Sequence, residues 1–276
     1  MQINDTQKAS FLKAVREVEP ARLLAPGYDR LLLHREGDWE VHWAPFEPLN
    51  TQAEIVLVGL TPGYSQALKA LRSLRGGLRR GMSSSRALVE AKMAGAFAGD
   101  IRDPLERMLN FMEIPRRMGV RDAASLLDRH GMRVHLTSAL RYPVFKVARD
   151  AGDGEREGYR GAASMMKTPW MRQMVETLLA DELQALPNAR VFPMGQPARA
   201  AVEHLVAHDV LSHERVYYGM QHPSPGNRMD SRPFVDPSEA STHPKWQGRM
   251  VRVARERAEM LDKLARDWPL EPAHAA

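Results

Sequence analysis

The run Glu54-Ile55-Val56-Leu57-Val58-Gly59-Leu60 constrains this chain more than any other stretch. Continuously apolar, it suits a strand buried on both faces, as in a parallel sheet covered by helices. It runs straight into Thr61-Pro62-Gly63, which ends strand geometry, and the spacing then predicts a helix from about Ser65 to Leu74. Further strands are expected at Arg133–Leu140, Arg190–Met194 and Arg215–Met220. Helical patterns cover Ser83–Met93 and Pro104–Met112, start again at Thr168-Pro169 to about Leu186, and follow Gly195-Gln196-Pro197 to about Val210. Trp39–Phe46 alternates like a strand, Thr6–Val18 and Trp246–Trp268 read as amphipathic helices, and Arg141–Lys167 as a long polar loop.

Strands alternating with helices predict an α/β fold, a three-layer α/β/α arrangement on a central, mainly parallel four-stranded sheet. Residues 1–276 read as a single domain, with 1–50 as an N-terminal elaboration, 54–228 as the core and 246–268 as a closing helix. In such sheets ligands sit beyond the strand C-termini. The loops after the first and fourth of these strands are expected on that edge.

Composition narrows the chemistry. The sequence has no cysteine, which excludes disulfides, thiolate zinc sites, iron–sulfur clusters and a cysteine nucleophile. Its ten histidines form no HExxH-like cluster, so neither a metal nor another cofactor is expected. The 39 Lys and Arg against 34 Asp and Glu give a net charge of +5, compatible with a polyanionic partner. No apolar run is long enough to cross a bilayer, and Met1–Asp5 lacks the layout of a signal peptide. A cytoplasmic monomer is the expectation.

Two loops carry the functional reading. Gly59-Leu60-Thr61-Pro62-Gly63-Tyr64 is a strand-to-helix turn in which glycine permits close backbone approach. An ordinary βα turn would look similar. His222-Pro223-Ser224-Pro225 is less usual, because two prolines stiffen the backbone around a His and a Ser just after a strand.

Together these loops resemble the uracil-DNA glycosylase superfamily. Gly59, Pro62 and Gly63 match its first motif, and His222, Pro223, Ser224 and Pro225 match its second in full. Ala96-Phe97-Ala98-Gly99 stands where that superfamily places a stacking Phe, and Gly195-Gln196-Pro197-Ala198 looks like its third strand-to-helix turn. The resemblance covers roughly Glu54 to Asn227. It implies a sheet of uracil-DNA glycosylase type and an enzyme that flips a base from DNA and hydrolyses its N-glycosidic bond. It makes His222 a donor to the base carbonyl and Thr61 the residue positioned to hold water. Gly59, Leu60, Pro62, Gly63, Tyr64, Phe97 and Ser138 would surround the base. Ser65, Pro223, Ser224, Asn227, Arg228 and Met229 would face DNA, Met229 as a wedge. The basic stretch Lys69, Arg72, Arg75, Arg79, Arg80 and Arg86 follows the first loop and is read as phosphate contacts, although charge runs are usually solvated helix faces.

Two departures from the family pattern shape the expected substrate. Thr61 stands where relatives carry a carboxylate or amide that handles water, and Thr is no base at neutral pH. Ser138 falls at or near the position of an Asn that reads uracil. A short hydroxyl offers fewer donors and more room than an amide. The resemblance therefore implies a monofunctional glycosylase acting on a modified pyrimidine, a modified cytosine such as glycosylated hydroxymethylcytosine of phage DNA, in antiviral defence. The alternatives are a conventional uracil-repair enzyme, a catalytically inactive DNA-binding or damage-sensing module, and a small-molecule nucleoside enzyme.

Overall fold

The computed structural model describes residues 2–128, 133–147, 156–161 and 164–270. Helix α1 (Asp5–Glu17) opens on a reciprocal cap, with Gln7 N donating to Asn4 Oδ1 at 2.8 Å and Asn4 N donating to Gln7 Oε1 at 3.1 Å. That arrangement satisfies two orphan donors. Its apolar face seats Phe11 flat against Trp43, ring centres 5.2 Å apart. After the short α2 (Pro20–Leu23), strands β1 (Leu32–Glu36) and β2 (Trp39–His42) make a hairpin. Its two-residue turn places Gly37 at φ +56°, a conformation suited to glycine.

Strand β3 (Ile55–Gly59) is buried at every position, as its unbroken apolar run requires. The chain then forms α3 (Tyr64–Arg79) and α4 (Ser84–Gly95), which pack closely on each other. A Cβ on Gly95 would stand 2.7 Å from Ala70 Cβ and 2.8 Å from the Gln66 carbonyl, so only glycine fits that crossing. Helices α5 (Arg102–Phe111), α6 (Ile114–Arg117) and α7 (Ala123–Asp128) lead to β4 (Val134–Ser138), β5 (Val144–Val147) and β6 (Arg156–Gly158). A π turn at Val175–Leu179 joins α8 (Pro169–Met174) to α9 (Ala180–Gln184). Strand β7 (Arg190–Pro193), α10 (Gly195–Ala207), α11 (Arg228–Val235) and α12 (Gln247–Asp267) complete the chain.

These elements form two compact units. The first comprises Met1–Leu49, Leu60–Gly99 and Thr137–Ala185, and holds the antiparallel sheet β1-β2-β5-β6. The second comprises Asn50–Gly59, Asp100–Leu136 and Leu186–Ala276. The remaining sheet has the order β4-β3-β7, with β3 and β7 parallel in the register Val56–Val191 and Leu57–Phe192. Helix α10 covers β3 and β7 through Ala198, Ala201, Val202 and Leu205.

Mixed α/β character is as expected, but the sheet differs from a single four-stranded layer. The expected fourth strand, Arg215–Met220, reduces to one parallel bridge, Val216 to Val191. A 3-10 turn at His213–Arg215 delays its start, and Gly219 at φ +118° breaks its extension. Trp39–His42 belongs to the second, antiparallel sheet. That sheet also claims Val144–Val147 and Arg156–Gly158 from the stretch read as a long loop. Residues 148–155, 162 and 163 of that stretch lie outside the described residues. On α12 the buried positions are Val253, Glu256, Met260 and Leu264, whereas Ala254 and Ala258 are exposed.

Candidate functional site

In the second unit, three chain segments end at one sheet edge. Strand β3 finishes at Gly59, Met194 N donates to Val58 O at 2.9 Å, and Gly195 N donates to Met220 O at 2.9 Å. Parallel pairing of all three makes this the C-terminal edge, where α/β sheets place ligands. Gly195, at φ +77°, lies against His222; a Cβ there would stand 2.9 Å from His222 Cβ. The third strand-to-helix turn and the His-Pro-Ser-Pro loop therefore touch, and they do so because residue 195 is glycine.

The protonation of His222 follows from its neighbours. Ser224 N donates to His222 Nδ1 at 3.2 Å. A backbone N–H can only donate, so Nδ1 is the bare nitrogen and the proton sits on Nε2. Burial pushes the imidazole pKa down to about 4, so the ring is neutral at neutral pH. Among the described residues no partner takes Nε2. The result is a neutral N–H donor held at a sheet edge.

The loop is anchored from behind. Asn227 Nδ2 donates to the His222 carbonyl at 3.1 Å and Asn227 Oδ1 accepts from Arg249 at 3.3 Å. Both ends of the Asn227 amide are thus engaged within the protein. Arg249 and Arg252 both bind the buried Asp230. Glu256, also buried, gathers Gln196 Nε2 at 2.8 Å, Gln221 Nε2 at 2.8 Å and Arg252 Nη1 at 2.9 Å. Gln221 immediately precedes His222, and Gln196 immediately follows Gly195. One acidic residue, Glu256, at a core-facing position of α12 is the sequence signal for this role.

Expected residues of the first loop, with Phe97 and Ser138, lie in the first unit, whose range begins again at Leu60. Leu60 O accepts from Leu140 N at 2.9 Å, tying the first loop to the segment after β4. Thr61 Oγ1 donates to Tyr142 O at 3.0 Å and accepts from Val144 N at 3.3 Å. Its hydroxyl proton is committed to the backbone, so Thr61 pins the loop and keeps one lone pair at most for water. Pro62 is buried, and the Gly63 N–H is taken by Gln66 Oε1 at 2.8 Å. Tyr64 and Ser65 begin α3 exposed, with the Tyr64 ring edge-on to Phe145 at 6.3 Å. Phe97 is buried at φ +50°, a region that an aromatic residue rarely adopts. Such strain persists only where the surroundings impose it, and it concentrates at functional sites. Ser138 closes β4, half-buried.

Behind the first loop lies a buried polar cluster that sequence reading missed. Glu47 Oε1 accepts from Tyr142 Oη at 3.1 Å and from Trp43 Nε1. Its Oε2 is shut from solvent with no partner among the described residues, and burial holds the carboxyl above the usual range. Lys92 Nζ donates to Pro48 O at 2.8 Å, and burial lowers its pKa to about 8. Nothing in the local sequence pattern marks these residues, because their meeting depends on how α4 and the β2–β3 connection pack.

The basic stretch is spread along α3. Arg72, Arg75 and Arg79 share one face of the helix, where Arg75 pairs with Glu19. Arg79 lies about 22 Å along the axis from Tyr64, at about 1.5 Å per residue. Arg79 and Arg80 therefore sit at the helix C-terminal end, where cations complement the helix dipole. Arg228 is exposed and donates to Pro225 O at 3.0 Å, and Met229 is half-buried in the first turn of α11.

Among the described residues there is no cluster of metal-binding side chains, and no helix is long and apolar enough to cross a membrane. No protein-family model matches the chain. It is 28% identical over 201 residues to the uncharacterized protein YoxB of Bacillus subtilis (strain 168), covering 72% of this chain and 76% of YoxB. The crystal structure of wild-type SMUG2 from Pedobacter heparinus aligns over 91% of this chain and 95% of that one, at 8% identity and a TM-score of 0.41. A likeness of that size does not establish a shared fold.

Proposed function

We propose that this protein is a monofunctional DNA glycosylase that hydrolyses the N-glycosidic bond of a flipped, modified pyrimidine, a modified cytosine in preference to uracil. The observation that carries the reading is the state of His222: Nδ1 bare and occupied by Ser224 N, the ring neutral, and an Nε2–H donor at the strand edge. When the bond between C1′ and the base nitrogen breaks, the sugar gains oxocarbenium character and the electron pair leaves with the base. Negative charge then grows on the base carbonyl oxygen. A fixed, half-buried N–H donor stabilises that charge more in the transition state than in the ground state. Water adds to C1′ and the departing base takes up a proton.

Phe97 and Ser138 are assigned to the base, as the family resemblance implies, and Ser224 with Arg228 to the DNA backbone. The short Ser138 side chain supports a substrate bulkier than uracil. Glycosylated hydroxymethylcytosine of phage DNA, and with it antiviral defence, belongs to this proposal. The test is incubation of the protein with duplexes bearing uracil, hydroxymethylcytosine or its glucosylated form, scored for alkali-labile sites. Release of a modified cytosine with no strand nick supports the reading. Borohydride trapping of a covalent protein–DNA complex would instead show a lyase with an amine nucleophile.

A second reading, a DNA-binding module without catalysis, is favoured by the engagement of the Thr61 hydroxyl with Tyr142 O and Val144 N. Binding to modified duplexes with no abasic product would select it.

A further inference from the structure

The cleft beside the second loop has a chemistry that the site at His222 does not use. It holds about 290 Å³ and lies between the start of α5 and α11, with Pro223, Ser224 and Pro225 forming part of its wall. At about 30 Å³ per water this is about ten water volumes, room for one six-membered sugar. Six charged side chains line it: Asp100, Asp103 and Glu239 against Arg107, Arg228 and Arg232. Three of each sign leave no net charge. Arg107 pairs with Asp103 at 3.1 Å and Arg232 with Glu239 at 3.4 Å. The rest of the wall is proline, valine and serine.

That combination argues against a phosphate. A backbone anion is held by uncompensated positive charge, and here Arg107 and Arg232 each already pair with a carboxylate. It suits a neutral polyhydroxyl ligand. Carboxylates accept from hydroxyls, guanidinium groups donate to them in a planar fork, and the proline and valine surfaces can cover the C–H face of a pyranose ring. The ion pairs are exposed and weak, so exchanging part of their mutual contact for sugar hydroxyls sacrifices little.

We propose that this cleft is a hexose subsite that receives the sugar carried by a glycosylated base, with Arg107, Arg232, Asp100 and Glu239 as its hydrogen-bonding groups. The inference rests on the glycosylase reading for its place in the reaction, and deepens it by naming the part of the substrate that confers selectivity. Pro223 and Pro225 link the two sites, since the stiff loop that presents His222 is also the cleft wall.

Two measurements on the full-length protein separate this subsite from the activity itself. In the first, methyl α-D-glucopyranoside and, separately, inorganic phosphate are titrated while the arginine Nε–Hε resonances are followed, assigned with Arg107→Lys and Arg232→Lys. Shifts of the Arg107 and Arg232 signals with the glucoside and not with phosphate support the subsite. No shift with the glucoside, or a response to phosphate in its place, overturns it. In the second, kcat/KM for glucosylated hydroxymethylcytosine is divided by that for hydroxymethylcytosine in the same duplex. Arg107→Ala and Glu239→Ala should each lower that ratio about tenfold, since a site built around hydroxyls discriminates through them. An unmoved ratio overturns the subsite. Absence of any excision by the unmodified protein would count against the glycosylase reading, while the glucoside titration would still decide the cleft.

Discussion

Ser224 N and His222 Nδ1 lie 3.2 Å apart, and that single hydrogen bond sets which nitrogen of the imidazole carries the proton. With Nδ1 bare, Nε2–H is the donor, and burial keeps the ring from protonating until the pH falls to about 4.

His222→Ala should therefore remove stabilisation made mainly in the transition state. The expected loss is about 10²–10³-fold in single-turnover excision, comparable with deleting one oxyanion donor. Circular dichroism should show the variant folded. A folded variant with unchanged excision would reassign His222 to structure.

The depressed pKa also fixes a pH profile. An ordinary histidine protonates at about 6.5, whereas this one stays neutral down to about 4. Single-turnover excision should remain level from pH 8 to pH 5. The sign for stability follows: the unfolded chain takes up a proton at about pH 6.5 while the folded one resists until about 4. The contribution of His222 is thus fully present above 6.5 and is lost as pH falls between these values. Denaturant titrations of the wild type and His222→Gln should show a difference that narrows across that window. A parallel pair of curves would contradict the burial of a neutral ring.

Glu256 acts through Gln221 and Gln196 on the two segments that meet at His222. Removing it strands buried partners, including Arg252, and Glu256→Ala should destabilise the protein by about 3–5 kcal/mol. Glu256→Gln keeps the shape and part of the hydrogen bonding. In that milder variant, measured well below its melting temperature, kcat should fall while KM changes little, because His222 is displaced and DNA contacts are not. Equal kcat for Glu256→Gln and wild type would make Glu256 a purely structural residue.

Thr61→Val removes the hydroxyl that bridges Tyr142 O and Val144 N while keeping the volume. The loss of stability should be about 1–3 kcal/mol, as for unsatisfied buried backbone groups. Excision should fall far less than in His222→Ala, since the hydroxyl proton is already bound. A loss as large as that of His222→Ala would restore Thr61 to water handling.

Ser138 tests the choice of base. Ser138→Asn supplies an amide that both donates and accepts, and should move preference toward uracil. Efficient uracil excision by the unmodified protein, with none on bulky cytosines, would sink the proposed specificity.

Much of this was legible along the chain. The apolar run at Ile55–Gly59, the loop that follows it and the helix of α3 are local: each is written in consecutive residues and each formed, the helix running on past Leu74 to Arg79. The stiff loop His222–Pro225 is local too, because proline restricts φ wherever it stands. Other features depended on partners distant in sequence. Val216 could have begun a full strand; the bend at Gly219 and the turn before it allowed only one bridge. The antiparallel partner of β5 lies about a hundred residues upstream in β2, so no window around Val144 could announce it. The same holds for residues of the candidate site. Thr61 looked available until the Tyr142 carbonyl and Val144 N–H met its hydroxyl, and Asn227 until Arg249 and the His222 carbonyl took its amide. Residue type sets what a side chain can donate or accept, and the sequence states that outright. Whether the capacity is free for a substrate depends on desolvation and on which groups the fold brings within hydrogen-bonding distance, and that only the tertiary structure decided.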